Sequence, residues 1–248
     1  MNPPVNTTVL TLAHTADRTY NYFKPGEADS VADRSANPNW KEAIFSEKPE
    51  VGFFGCIYTS PIEQTVVVAF RGTVMGRLEG NHGATWKNIK TDIGLWARSD
   101  APDCTKHAVE LIGLAQHYRP RGHGLVLTGH SLGGAIAVIT SVLTGVPACT
   151  FNAPSVSKVL NGHCFGGLSI QVPKEGRDLA KDQILNFNVR FDPVSKSSTA
   201  TGRVVKLPMI GYNIGAQHGQ GTVIKALEQT RWGRKTFDQA LADAGGTP

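Results

Sequence analysis

Apolar positions along the chain follow two different periods, and the change between them divides the sequence into elements. Residues 5–23 space Val9, Leu10, Leu12, Ala13, Ala16 and Tyr20 as one face of a helix, which predicts a helix laid against the body of the domain. Residues 24–50 are polar and rich in Pro, Asn and Asp, and read as a long surface loop with a short helix near Trp40 to Phe45. Next come two β-rich runs, "VGFFGCIYTS" and "TVVVAFRGT", separated only by "PIEQ". A connection this short predicts antiparallel pairing, and the unbroken apolar second run predicts a strand buried on both faces.

Helical and extended periods then alternate. Helices are predicted at 85–97, 103–118 and 132–144, strands at 124–128, 148–152, 184–191 and 203–207, and one or two closing helices after residue 220. Such alternation predicts an α/β fold of the α/β-hydrolase type: a mostly parallel central sheet with an antiparallel start and helices on both faces. No repeat and no linker divides the sequence, so residues 1–248 are expected to form a single domain.

The stretch "LVLTGHSLGGAIAVI" joins a strand to a helix through Gly129, His130, Ser131, Leu132 and Gly133, a GxSxG pentapeptide. The chemistry of this turn demands small residues two before and two after the serine, because a strand turning sharply into a helix crowds its own neighbours. Gly129 and Gly133 meet that demand, and Gly145 with Pro147 ends the following helix. The competing reading, a phosphate-binding or packing turn, lacks both a GxGxxG pattern and a following lysine.

A serine hydroxyl needs a base, and the base needs an orienting acid. On such a sheet the order along the chain is serine, acid, histidine. Of the eight histidines only His163 and His218 follow the motif, and none of the candidate acids precedes His163. His218 is therefore the expected base. Glu175, Asp178, Asp182 and Asp192 lie ahead of it; Asp192 is preferred, because it follows the β-like "ILNFNVRF" and precedes Pro193, at the end of a strand where ligands gather. The others lie in "PKEGRDLAKDQ", a solvated segment. Two N–H donors must face a developing oxyanion, and the expected pair is Leu132, after the nucleophile, and Thr73, after the turn at Gly72. Arg71 is expected to anchor that loop through a salt bridge.

Composition removes several alternatives. The chain is 40% hydrophobic and 18% charged, which supports a substantial core. Its formal charge of +5 is scattered without a basic stripe, so no nucleic-acid partner is expected. The start of the sequence has no basic and apolar leader pattern, and no run reaches membrane-helix length. The expectation is a soluble protein, cytoplasmic or exported by a leaderless route. Cys56, Cys104, Cys149 and Cys164 form neither a CxxC pair nor a zinc pattern, and Cys56 and Cys149 read as buried thiols in strands. No metal or organic cofactor is required; Glu27, Asp29 and Asp33 read as loop acids rather than a calcium site.

Four ordered blocks, "VVVAFRGT", "LVLTGHSLGGA", "TFNAPSV" and "FNVRFDPVS", resemble the class 3 lipase family, the α/β-hydrolases similar to fungal triacylglycerol lipases. The resemblance implies Ser131, Asp192 and His218 as a triad, Thr73 and Leu132 as oxyanion residues, and hydrolysis of carboxylic esters of acylglycerols or phospholipids. It departs from the fungal pattern in the short, Gly-rich approach to His218. Leaderless bacterial members include phospholipase effectors, for which an immunity or export partner is implied. Within 74–98, a flexible stretch precedes Trp86, Ile89, Ile93 and Trp96 on about one helical face, which reads as a mobile loop ahead of a packed helix or as a lid toward a membrane or micelle. Two rival functions keep the fold. One gives the same triad a soluble ester, thioester or acyl-transfer substrate; the other is a catalytically silent binding domain.

Overall fold

The computed structural model describes residues 3–20, 40–73, 101–161, 178, 182–197 and 200–245. Seven strands lie in one sheet in sequence order: β1 Lys41–Lys48, β2 Phe53–Ser60, β3 Thr65–Phe70, β4 Gly124–His130, β5 Ala148–Phe151, β6 Ile184–Val189 and β7 Arg203–Leu207. The first three pair antiparallel and β3 to β7 pair parallel, as the alternation of periods predicts. Every position of β3 and β4 is buried, because both faces of the centre are covered.

The described helices are α1 Val9–Arg18, α2 Ala101–Tyr118, α3 Leu132–Thr144, α4 Ser157–Leu160, α5 Gln220–Glu228 and α6 Phe237–Gly245. Parallel neighbours joined in sequence order by right-handed crossovers receive their connecting helices on one face. Accordingly α2, α3 and α4 share a core with Phe53, Val66, Val68, Phe70, Leu125 and Leu127. The opposite face would be bare, and helices from both ends of the chain cover it. There α1, α5 and α6 pack on Phe54, Val67, Ala69, Val126, Phe151 and Phe187. Alternate residues of one strand thus serve two separate cores.

The terminal helices are tied to each other. Thr8 bridges Thr236, Val9 N–H donates to the Lys235 carbonyl at 2.9 Å, and Phe237 N–H donates to the Thr7 carbonyl at 2.9 Å. Thr8 also caps α1, its Oγ1 accepting from the Thr11 N–H at 3.2 Å. At the other end of α3 the expected stop is present: Gly145 takes φ 71° and its N–H donates to the Ser141 carbonyl.

One predicted element is wrong. The short helix expected near Trp40 to Phe45 is strand β1, paired to β2 from Lys41 to Lys48 with an irregularity between Glu42 and Ile44. The local sequence "KEAIFSEK" favours helix, but the open edge of β2 supplies hydrogen-bond partners that a short surface helix lacks. Charged residues along β1 also suit an edge strand. The remaining residues of 24–39, the helix expected at 85–97 and the lid segment 74–98 lie outside the described residues. Cys56 and Cys149 are buried in β2 and β5, and burial pushes both thiols up. Among the described residues no helix is long and apolar enough to cross a membrane.

Two substitutions test this account of the cores. Phe187 is fully buried between Phe151 and Trp232, so Phe187→Ala should cost about 3–5 kcal/mol and lower Tm by roughly 10 °C. Gly113, in α2, has open space where a Cβ would stand, so Gly113→Ala should raise stability by about 0.5–1 kcal/mol. Thermal unfolding of both variants checks these opposite signs.

Candidate active site

The site begins at a steric problem. The chain leaves β4 at His130 and enters α3 at Leu132 with only Ser131 between them. Ser131 consequently takes φ 55° and ψ −124°, a region that side chains other than glycine rarely occupy. Two glycines make the turn feasible. A Cβ on Gly129 would strike the backbone of Gly133 and, at 2.7 Å, the nitrogen of Gly134. A Cβ on Gly133 would strike the backbone of Phe70 and, at 2.8 Å, that of Arg71. The turn is secured by the Ser131 N–H donating to the Phe151 carbonyl at 3.0 Å and the Ala135 N–H donating to the Ser131 carbonyl at 3.1 Å.

Asp192 follows the end of β6, as its strand-end placement predicts. Phe191 at φ 65° turns the chain, and the Asp192 carboxylate collects the Ser195 N–H on Oδ2 at 2.8 Å and the Val194 N–H on Oδ1 at 3.3 Å. Burial opposes ionisation of this carboxyl, but bonds from His218 and Ser195 outweigh it and hold the group below its ordinary range.

His218 ends a single 3-10 turn, Gly215–His218, just before α5. Its Nδ1 lies 2.8 Å from Asp192 Oδ1, and its Nε2 lies 2.8 Å from Ser131 Oγ. The carboxylate can only accept, so Nδ1 carries a proton and, in the neutral ring, Nε2 is left to accept from the serine hydroxyl. All three residues are buried. The structure therefore brings Ser131, His218 and Asp192 into one hydrogen-bonded row, although they are contributed by three different strand ends or loops.

The loop carrying His218 is held by polar side chains that sequence reasoning missed. Gln217 is fully buried; its Oε1 accepts from Ile210 N–H and its Nε2 donates to the carbonyls of Ile210 and Asn213. Asn152, beyond the end of β5 at φ 47°, accepts from Val189 N–H on Oδ1. Its Nδ2 donates to the Gln217 carbonyl at 2.8 Å and to the His218 carbonyl at 3.2 Å. The block "TFNAPSV" contained the available signal: a polar residue directly after a buried strand.

On the other side of the serine, Leu132 opens α3 and Gly72 packs against it. A Cβ on Gly72 would meet the Tyr20 hydroxyl, the His130 carbonyl at 2.6 Å and the Leu132 nitrogen at 3.3 Å. Thr73 follows and is half-buried. Arg71 anchors the loop as expected, its guanidinium 3.6 Å from Glu47 and 4.5 Å above the Phe54 ring.

The rejected acid Asp182 is on the surface, paired at 3.1 Å with Arg203. Asp178 is exposed, whereas Glu175 and His163 lie outside the described residues. So do Glu27, Asp29 and Asp33. Among the described residues no cluster of three or more His, Cys, Asp or Glu side chains is arranged to hold a metal ion.

Comparison with known proteins places this geometry in a family. A family profile described as phospholipase-like, the Tle-like phospholipase domain, matches residues 11–237. Extracellular phospholipase A1 of Serratia liquefaciens is 31% identical over 93 residues, which span 38% of this chain and 27% of that protein, so the match covers about a quarter of the relative's length. The fold is shared with the Lip2 lipase of Yarrowia lipolytica, at TM-score 0.53 and 16% identity over 94% of this chain and 92% of that one. It is likewise shared with a lipase from Rhizopus microsporus var. chinensis, at TM-score 0.51 and 15% identity over 97% and 95% of the two chains. The chain belongs to the Tle-like phospholipase domain family, and its sheet is that of the α/β-hydrolase fold.

Proposed function

We propose that this domain hydrolyses a carboxylic ester of a glycerophospholipid at a membrane or micelle surface, with Ser131 as nucleophile, His218 as general base and acid, and Asp192 as the orienting acid. The observation that carries the reading is the buried row Asp192–His218–Ser131, with 2.8 Å at each step. A phospholipid rather than a triacylglycerol is favoured by the family match and by the name of the Serratia relative, a phospholipase A1.

The reaction follows from the geometry. Ser131 Oγ attacks the acyl carbon while His218 Nε2 takes its proton. Negative charge forms on the former carbonyl oxygen and is met by the N–H groups of Leu132 and Thr73, a contribution of roughly 3–4 kcal/mol per donor. Collapse expels the glycerol oxygen, which receives the proton from His218 Nε2 and leaves an acyl-serine. Water then repeats the cycle and releases the fatty acid. Asp192 stays ionised throughout, holding the Nδ1 proton and stabilising the imidazolium.

A producing cell carries the same esters in its own membranes. This reading therefore includes an immunity partner or an export route that separates enzyme from substrate.

Four measurements test the proposal. A fluorophosphonate probe should label the folded protein at Ser131 and fail on Ser131→Ala; an unlabelled parent protein would refute the assignment. Asp192→Asn should lower kcat by about 10³–10⁴-fold, against less than about twofold for Asp182→Asn. Because the Asp192 carboxyl is held low in the folded state, the stability it adds is present above the ordinary carboxylate range and is lost as pH falls through its lowered value. The Tm deficit of Asp192→Asn should accordingly shrink in acid. Finally, phosphatidylglycerol vesicles should release fatty acid and outpace a monomeric short-chain ester; cleavage of the monomeric ester alone would favour the soluble-substrate reading.

A further inference from the structure

His130 precedes the nucleophile, yet its side chain reaches away from the reacting row. Its Nε2 lies 2.6 Å from the His218 carbonyl and its Nδ1 lies 3.0 Å from the Tyr20 hydroxyl. The two histidine rings are 4.9 Å apart and inclined at 39°. A carbonyl only accepts, so Nε2 carries the proton and donates to His218 O. In the neutral ring Nδ1 is then an acceptor, and the Tyr20 hydroxyl must donate to it. The Tyr20 oxygen also lies 3.4 Å from the His130 carbonyl and packs against the Gly72 backbone, where a Cβ would meet it. The chain of contacts thus runs from the Gly72 loop, through Tyr20 and His130, to the backbone of the catalytic base.

We propose that Tyr20 and His130 are positioning residues that tie the Gly72–Thr73 loop and the His218 peptide to one post, the turn at Ser131, so that base and oxyanion donor keep a fixed separation. This rests on the assignment of Ser131 and His218 made above. Neither residue touches the reacting atoms. His130 is suited to the task because burial and the neighbouring His218 hold it neutral, its pKa pushed down to about 3. Burial pushes the Tyr20 phenol up, so it retains the proton it donates. The Tyr20 backbone is itself anchored, its N–H donating to the Asp17 carbonyl at 3.0 Å just after α1.

The two ring nitrogens can be separated by substitution. The amide of His130→Gln reaches the place of Nε2 and can still donate to His218 O, whereas that of His130→Asn stops at the place of Nδ1 and meets Tyr20 alone. We expect His130→Gln and Tyr20→Phe, each of which breaks only the tie between Tyr20 and residue 130, to lower kcat on a soluble p-nitrophenyl ester by a similar factor of about 3- to 10-fold. His130→Asn, which frees the peptide of the base, should lower kcat by about 10- to 100-fold, with KM within about twofold in all three, in step with slower fluorophosphonate labelling of Ser131. Equal rates for His130→Gln and His130→Asn would overturn the relay. So would kcat losses that merely follow Tm across the three variants, or parental kcat in Tyr20→Phe. A parent protein that takes no label refutes instead the underlying assignment of Ser131, so the two failures are distinct.

Discussion

Main-chain atoms pressed against main-chain atoms govern this site. The carbonyl end of β3 lies where a Gly133 Cβ would be, and the first turn of α3 lies where a Gly129 Cβ would be. That compression leaves Ser131 at φ 55°, a conformation that costs about 1–3 kcal/mol. The surrounding hydrogen bonds and the two-sided burial of β4 hold it there. In return, the buried hydroxyl stands just past the end of central strand β4, at the opening turn of a buried helix whose first N–H groups have no partner within the helix. The Gly72 loop packs on this turn, and the carbonyl of His218 is bonded to it through His130. Rigid placement of Ser131 is thus passed on to His218 and to the Gly72 loop, which need not be stiff by themselves.

Much of this was legible in the residues, for identifiable reasons. Six of the seven strands followed from periods of two and near four, since burial on both faces leaves unbroken apolar runs such as "TVVVAF" and "LVLTGH". The place of His218 beside the serine was legible by elimination, because chain order leaves few histidines after the motif. That of Asp192 was legible because Pro193 stops a strand. Asn152 left only the mark of a polar residue directly after a buried strand, and Tyr20, His130 and Gln217 left no comparable trace. Their partners are distant in sequence, with 110 positions between Tyr20 and His130, 88 between His130 and His218, and 65 between Asn152 and Gln217. A periodic pattern reports which face of an element is buried, not which polar atom meets it across the fold. The strand β1 was misread for a different reason: its residues favour helix locally, and only the vacant edge of β2 decides the matter.

Dividing the core in two has its own logic. Strands laid down in sequence order collect their crossover helices on one side, so the second face depends on segments outside the strand–helix alternation. Helix α1 arrives from before the sheet, and α5 and α6 from after it. Their mutual hydrogen bonds close the far side as one layer.

That layer also makes the row intolerant of truncation. Helix α1 lies ahead of the sheet and leads into Tyr20, yet its apolar face and its pairing with Thr236 are completed only by the helices that follow His218. His218 itself comes after Ser131 and Asp192 along the sequence. A fragment cut between Asp192 and His218 would hold the serine, its turn and the carboxylate, but neither the imidazole nor half of the layer behind the sheet. The far face and the hydrogen-bonded row are thus completed by one and the same stretch, residues 218–245.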